Sequence, residues 1–219
     1  MATYFTYNSL VSDLQNYLER GGSLAADGTV YNQIPRIINA AERRIVQELK
    51  LQGTIEVLVD WAGLPSGVPV VAKPDRWRQT ISLKYGSGTN LNAYTPLFPR
   101  SYDFCRTYWP DDTVLSVPKF YADYDYTHWI IAPTPDITRP LEVLAYMQPQ
   151  LLDSGNQTNF FTNYTPNLLL YAAMLEASLF LKDDVRIQYW QAAFAAEKGT
   201  LVPQDLQKIM DRAAVRTSA

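Results

Sequence analysis

Between Thr165-Pro166 and Lys182-Asp183-Asp184 the chain carries Leu168, Leu169, Leu170, Tyr171, Ala172, Ala173, Met174, Leu175, Ala177 and Leu179, so a helix over Asn167 to Leu181 is apolar on nearly every side. Such a helix has no face to offer water, and other elements must close over it from several directions. Thr165-Pro166 supplies the cap and the proline tolerated in a first turn. Three further stretches have apolar faces that fit it. Thr6 caps a first helix in which Tyr7, Leu10, Val11, Leu14, Tyr17 and Leu18 recur at helical steps before Gly21-Gly22 ends it. A second helix is predicted from about Tyr31 to Leu51, with Pro35 in its first turn and Ile34, Ile37, Ile38, Ala41, Ile45 and Leu49 inward. Glu42, Arg43, Arg44 and Glu48 then form a solvated outer face. The helix after Lys182-Asp183-Asp184, Val185 to Leu201, sets Ile187, Trp190, Gln191 and Phe194 to one side. Gly199 and Pro203 predict a break or kink before Leu206, Ile209, Met210 and Ala213 resume the spacing.

The middle of the chain has a different period. After Gly53, Ile55, Val57 and Val59 alternate against their neighbours, and Trp77 to Tyr85 is a second strand candidate before the turn Gly86-Ser87-Gly88-Thr89-Asn90. That turn lacks a Gly-Lys-Ser/Thr ending and a following helical pattern, so it reads as a hairpin tip and not a phosphate loop. Pro118 to Gln150 holds three more strand-like runs, Tyr121–Tyr126, Trp129–Ala132 and Leu141–Met147, separated by Asp125-Tyr126-Thr127 and by Pro133-Thr134-Pro135-Asp136. They are expected to form a β-meander. A short helix opens after Pro99-Arg100-Ser101, and one turn is expected over Asn159 to Asn163. The fold class is therefore α+β: a helical bundle from residues 1–53 and 149–219, with an antiparallel β-domain, 54–148, inserted between its parts.

The residues offer little chemistry of their own. A net charge of -3 and a pI near 5.2 argue against a dedicated nucleic-acid surface. Cys105 is the only cysteine and His128 the only histidine, so there is no disulfide framework and no cysteine-based zinc site. Asp123 and Asp125, at i and i+2, share one strand face as a cation site would require, yet two carboxylates do not complete a Ca²⁺ or Mg²⁺ shell. A solvated hairpin end is the better reading, a buried inert thiol the better one for Cys105, and no catalytic, cofactor or metal residue is assigned. No run approaches ~18 apolar residues and no basic segment precedes an apolar one at the N-terminus, so a soluble, unprocessed chain is expected. The sequons at Asn156 and Asn163 are chance matches without a secretory route.

The run from PLFPRSYDFCRTYWPD (96–111) through PKFYADYDYTHWIIAPTPD (118–136) to PLEVLAYMQPQLLDSGNQTNFFTNYTPNLLLYAAMLEASLFLKDD (140–184) resembles the head-to-tail adaptor, or connector, proteins of tailed bacteriophages. The likeness covers about residues 90 to 215. It implies an α-bundle with an inserted β-domain and a self-assembled ring of about a dozen copies in the virion neck, put together in the host cytoplasm. The portal protein would lie above and a tail or nozzle protein below, with genomic DNA only in transit and no membrane or cofactor involved. It also implies that Pro203 to Ala219 reaches the portal, with Leu206, Ile209 and Met210 as apolar anchors and Arg212 and Arg216 as polar contacts. Pro203 departs from the continuous helix such a segment calls for. Aromatic residues at 13% suit a chain that works through interfaces. The competing reading is a tail module whose aromatic β-domain docks a sugar or receptor, and an enzyme built on Asp123, Asp125 and His128 comes third.

Overall fold

The structure, a computed structural model, describes residues 5–18, 28–59, 63–87, 90–182 and 184–214. In chain order, α1 (Tyr7–Tyr17) and α2 (Gly28–Glu48) lead through a 3₁₀ turn to the strands β1 (Ile55–Leu58), β2 (Val70–Ala72), β3 (Trp77–Ser87) and β4 (Asn90–Pro99). Then come α3 (Tyr102–Tyr108), β5 (Leu115–Ser116), β6 (Phe120–Asp123), β7 (His128–Ala132), β8 (Thr134–Pro135) and β9 (Leu141–Met147). The chain continues as α4 (Phe160–Tyr164), α5 (Pro166–Leu181) and α6 (Asp184–Ala214). This is an α+β protein of two compact units, Met1–Thr54 with Pro149–Ala219 and Ile55–Gln148.

In the helical unit, Thr6 Oγ1 accepts from the Ser9 amide at 3.2 Å while Ser9 Oγ accepts from the Thr6 amide at 2.8 Å, so both orphan donors at the start of α1 are met. The expected stop at Gly21-Gly22 lies outside the described residues. α5 packs against α1, α2, α4 and α6, and Leu168, Leu169, Ala172, Ala173, Met174 and Ala177 are fully buried. Burial gives out in the last turn, where Leu179 and Phe180 are exposed. Lys182 then ends the helix at φ 56°, a left-handed position more often given to glycine. α6 continues through Pro203 as one helix, so the chain does not break there. A proline inside a helix has no N–H for the carbonyl four residues earlier, here that of Gly199.

The seven-stranded sheet of the other unit has the order β1-β9-β3-β4-β6-β7-β2, with β5 and β8 paired separately. It is mixed where a wholly antiparallel domain was expected, because β4 and β6 run parallel through Phe98/Phe120 and Pro99/Tyr121, and β5 and β8 are parallel as well. The connection from β4 to β6 includes α3, and a helix-bearing crossover lets a strand re-enter in the same direction. The expected meander holds only for its first hairpin. β6 pairs β7, but β9 lies between β1 and β3, far from β7 in the sheet. The proline-bounded connector is spent on β8 and on a bridge between Leu64 and Arg139, which carries the chain away from β7.

Burial follows from this order. β9 alternates cleanly, with Leu141, Val143, Ala145 and Met147 buried. β7 is buried at four successive positions because its two faces serve different clusters: Trp129 and Ile131 join Tyr121, Leu83 and Leu141, whereas Ile130 and Ala132 join Cys105 and Ala122 beside α3.

Candidate assembly surface

β4 and β6 pair over a short stretch, Phe98/Phe120 and Pro99/Tyr121. The Phe98 amide donates to Lys119 O and the Arg100 amide to Tyr121 O, both at 2.9 Å. On the N-terminal side of that stretch β4 stays with β3, while the chain approaching β6 passes through β5 and its pairing with β8. The two strands diverge, and the gap is a cleft of about 510 Å³ with Pro96, Phe98, Val117, Pro118 and Phe120 as apolar walls. Neither proline carries an N–H, so the walls cannot donate a ladder bond there and the cleft suits a side chain better than an added strand. Its polar groups are Tyr85, Thr95, Arg100 and Lys119. The Arg100 guanidinium lies 5.6 Å from the Phe104 ring centre and 5.5 Å from that of Phe120. Among the described residues, neither Arg100 nor Lys119 has a carboxylate partner. Phe98 is 54% exposed, and Tyr102, Phe104, Tyr108, Val117 and Tyr124 are also exposed nearby in the chain. Phe104, Tyr108 and Phe120 lie edge-on or stacked against one another at 5.1 to 5.9 Å.

The carboxylates that share a strand face in the sequence have separate tasks. Asp123 Oδ1 lies 2.7 Å from Lys73 Nζ, and Lys73 also donates to the Asp125 carbonyl at 2.8 Å. The Lys73 side chain is only 2% exposed, and its ammonium sits 3.9 Å above the Trp77 ring. The Asp125 carboxylate accepts from the Thr127 amide at 2.6 Å and from its hydroxyl at 2.9 Å, and His128 Nδ1 lies 3.0 Å away. Desolvation pushes the Asp125 carboxyl up, but the hydrogen bonds from Thr127 and His128 outweigh it and hold the pKa at about 2. Among the described residues, no group of three or more His, Cys, Asp or Glu side chains is placed to hold a metal ion. Cys105 is buried, and burial raises its thiol pKa despite Arg100 and Arg106.

The Asp125 carboxylate keeps its bonds from the Thr127 amide and hydroxyl without the imidazole, so His128→Gln is expected to leave particle assembly and infectivity nearly unchanged. Normal particles that fail to infect would instead assign the imidazole a chemical role.

Two buried charges escaped the sequence reading. Lys73 has no flanking pattern to announce it. Glu42 was placed on the solvated face of α2 and is 1% exposed, its carboxylate accepting from the Leu152 amide at 3.1 Å and from Asn159 Nδ2 at 2.5 Å. It stands four residues after Ile38 and three before Ile45, inside the apolar stripe, and that spacing was the available signal. Burial raises its pKa to about 7 against the two hydrogen bonds that lower it. Its former companions are paired or exposed: Arg44 Nε meets Glu176 at 2.7 Å, Lys198 Nζ meets Glu48 at 2.8 Å, and Arg43 is exposed. Of the tail residues, Leu206, Ile209, Met210 and Arg212 fall on α6, and Arg216 lies outside the described residues.

The unit Ile55–Gln148 thus presents exposed aromatic side chains beside an apolar cleft that carries two cations. The family follows from comparison: the model described as SU10 adaptor protein matches residues 5–218, and the chain belongs to this family of phage head-to-tail adaptors. Membership carries a structural adaptor role and a place in the virion neck. No curated protein matches the chain. Among the described residues, no helix is long and apolar enough to cross a membrane.

Proposed function

We propose that the chain is a non-enzymatic, cofactor-free ring component, about a dozen copies of which dock beneath the portal, join it to a tail or nozzle protein and leave a channel for DNA in transit. The helices of 1–53 and 149–219 act as a bundle bearing the inserted unit 54–148. The observation that carries this reading is the extent of the family match, which takes in both units and runs to residue 218. A second observation supports portal docking through the tail. α6 has 31 residues and α5 has 16, about 46 Å against about 24 Å at 1.5 Å per residue, so the end of α6 outruns the helix it packs on. Leu206, Ile209, Met210, Arg212 and Arg216 lie on that end or just past it, and one tail per copy makes a weak contact strong collectively.

The test is the mass of the purified protein with and without portal, which should rise to that of a ring on the portal. Deleting Asp211 to Ala219 should leave a chain that melts normally but fails to complete DNA-filled heads. Unfolding of the truncated chain would place the tail in its own bundle, and normal head completion would move portal attachment elsewhere.

A further inference from the structure

We infer that the hairpin tip Tyr124–Tyr126 of one copy docks into the cleft between β4 and β6 of a neighbouring copy, with Tyr126 filling the apolar gap and Asp125 facing Arg100 and Lys119. This deepens the ring reading and rests on it.

The cleft calls for an apolar group next to negative charge, since its walls are apolar and its two cations lack carboxylate partners among the described residues. The tip offers both. Tyr126 is 73% exposed, more than any other large apolar residue described in its unit, and touches Trp77 only edge-on at 5.9 Å. On either side of Tyr124 stand Asp123 and Asp125. The Lys73 ammonium offsets Asp123, whereas the Asp125 carboxylate is exposed and ionised throughout the neutral range.

The tip is also pre-formed. Asp125 closes the turn through Thr127, the Lys73 ammonium holds the Asp125 carbonyl, and the Lys73 amide donates to Thr127 O at 2.7 Å. Little ordering remains to oppose docking, and tyrosine gives large contact area for few rotatable bonds. A single copy cannot satisfy its own cleft. Phe120 lines the cleft and Asp123 adjoins the tip, so the extended residues of β6 hold the two roughly 10 Å apart or more at about 3.3 Å per residue. The contact therefore runs between different surfaces of identical chains, the arrangement that closes into a ring when the rotation permits.

The experiment places photoreactive benzoylphenylalanine at position 126 and maps adducts by mass spectrometry, both in necks purified from virions and in the isolated chain. The mass of each assembly is measured in parallel. The expected result is an inter-chain adduct at Phe98 or within Val117–Phe120, its yield cut about tenfold by Arg100→Glu with Lys119→Glu, since opposed like charges hasten dissociation. Adducts on other surfaces or within one chain overturn the contact, as does a yield indifferent to charge reversal. A closed oligomer without the adduct sinks this interface and leaves the ring standing; single copies in purified necks sink both.

Discussion

Met174→Ala is expected to cost about 2–5 kcal/mol, because a fully buried side chain is removed from the helix that α1, α2, α4 and α6 all touch. Two terms add: the lost transfer of the thioether chain from water, and the cavity left among neighbours that several elements hold in place. Ala172, Ala173 and Ala177 flank the site, and such small side chains have little reach to fill a void. At about 2–4 °C per kcal/mol for a chain of this size, the helical transition should fall by roughly 4–20 °C. Leu170→Ala, at a position nearer the edge of the cluster, should fall at the lower end of that range. Thermal unfolding followed by helical circular dichroism decides the matter, and an unmoved transition for Met174→Ala would remove α5 from the centre of its unit.

Stability should also fall as pH rises through about 7, and Glu42→Gln should flatten that fall. Burial raises the Glu42 carboxyl from 4.5 to about 7, while the hydrogen bonds from the Leu152 amide and the Asn159 side chain pull the other way. Between those two values the folded chain holds a proton that the unfolded chain has released. The associated stability is complete below about pH 4.5 and is lost through about pH 7, with an upper bound of about 3.5 kcal/mol at about 1.4 kcal/mol per tenfold change. Glutamine cannot ionise, so its melting temperature should change less than that of the wild type from acid to neutral pH. Parallel profiles would show that the buried carboxylate titrates as it does in water. Glu42→Ala should be worse than glutamine at every pH, since it leaves the Leu152 amide without an acceptor in the interior.

What the sequence made legible was whatever local periodicity controls. The alternation of Leu141, Val143, Ala145 and Met147 and the apolar run of α5 describe how much of each element must be covered, and both are covered as expected through Ala177. Partners are another matter, because strand pairing depends on residues far apart in the chain: nothing within Pro118 to Gln150 reveals that β9 prefers β1 and β3 to β7. The cleft was hidden for the same reason, as it arises where β4 and β6 part company and not from any motif. Pro203 removes a backbone donor, yet the helix on either side of it is long enough to continue through the loss. Glu42 misled because carboxylates are usually assigned outward by type, although its spacing placed it with Ile38 and Ile45. Asp123 and Asp125 were correctly linked to a hairpin end, but the buried ammonium between Asp123 and the Asp125 carbonyl comes from Lys73, on a different strand connection.

The seclusion of Lys73 has a practical side. An amine that water barely reaches is equally closed to acylating reagents, whereas Lys119 stands open on the same unit. Labelling of the two lysines in one sample thus compares a fast surface reaction with one gated by opening of the hairpin between β6 and β7. The ratio of their rates is a clock for local breathing of this unit, built into the native chain and readable without any substitution.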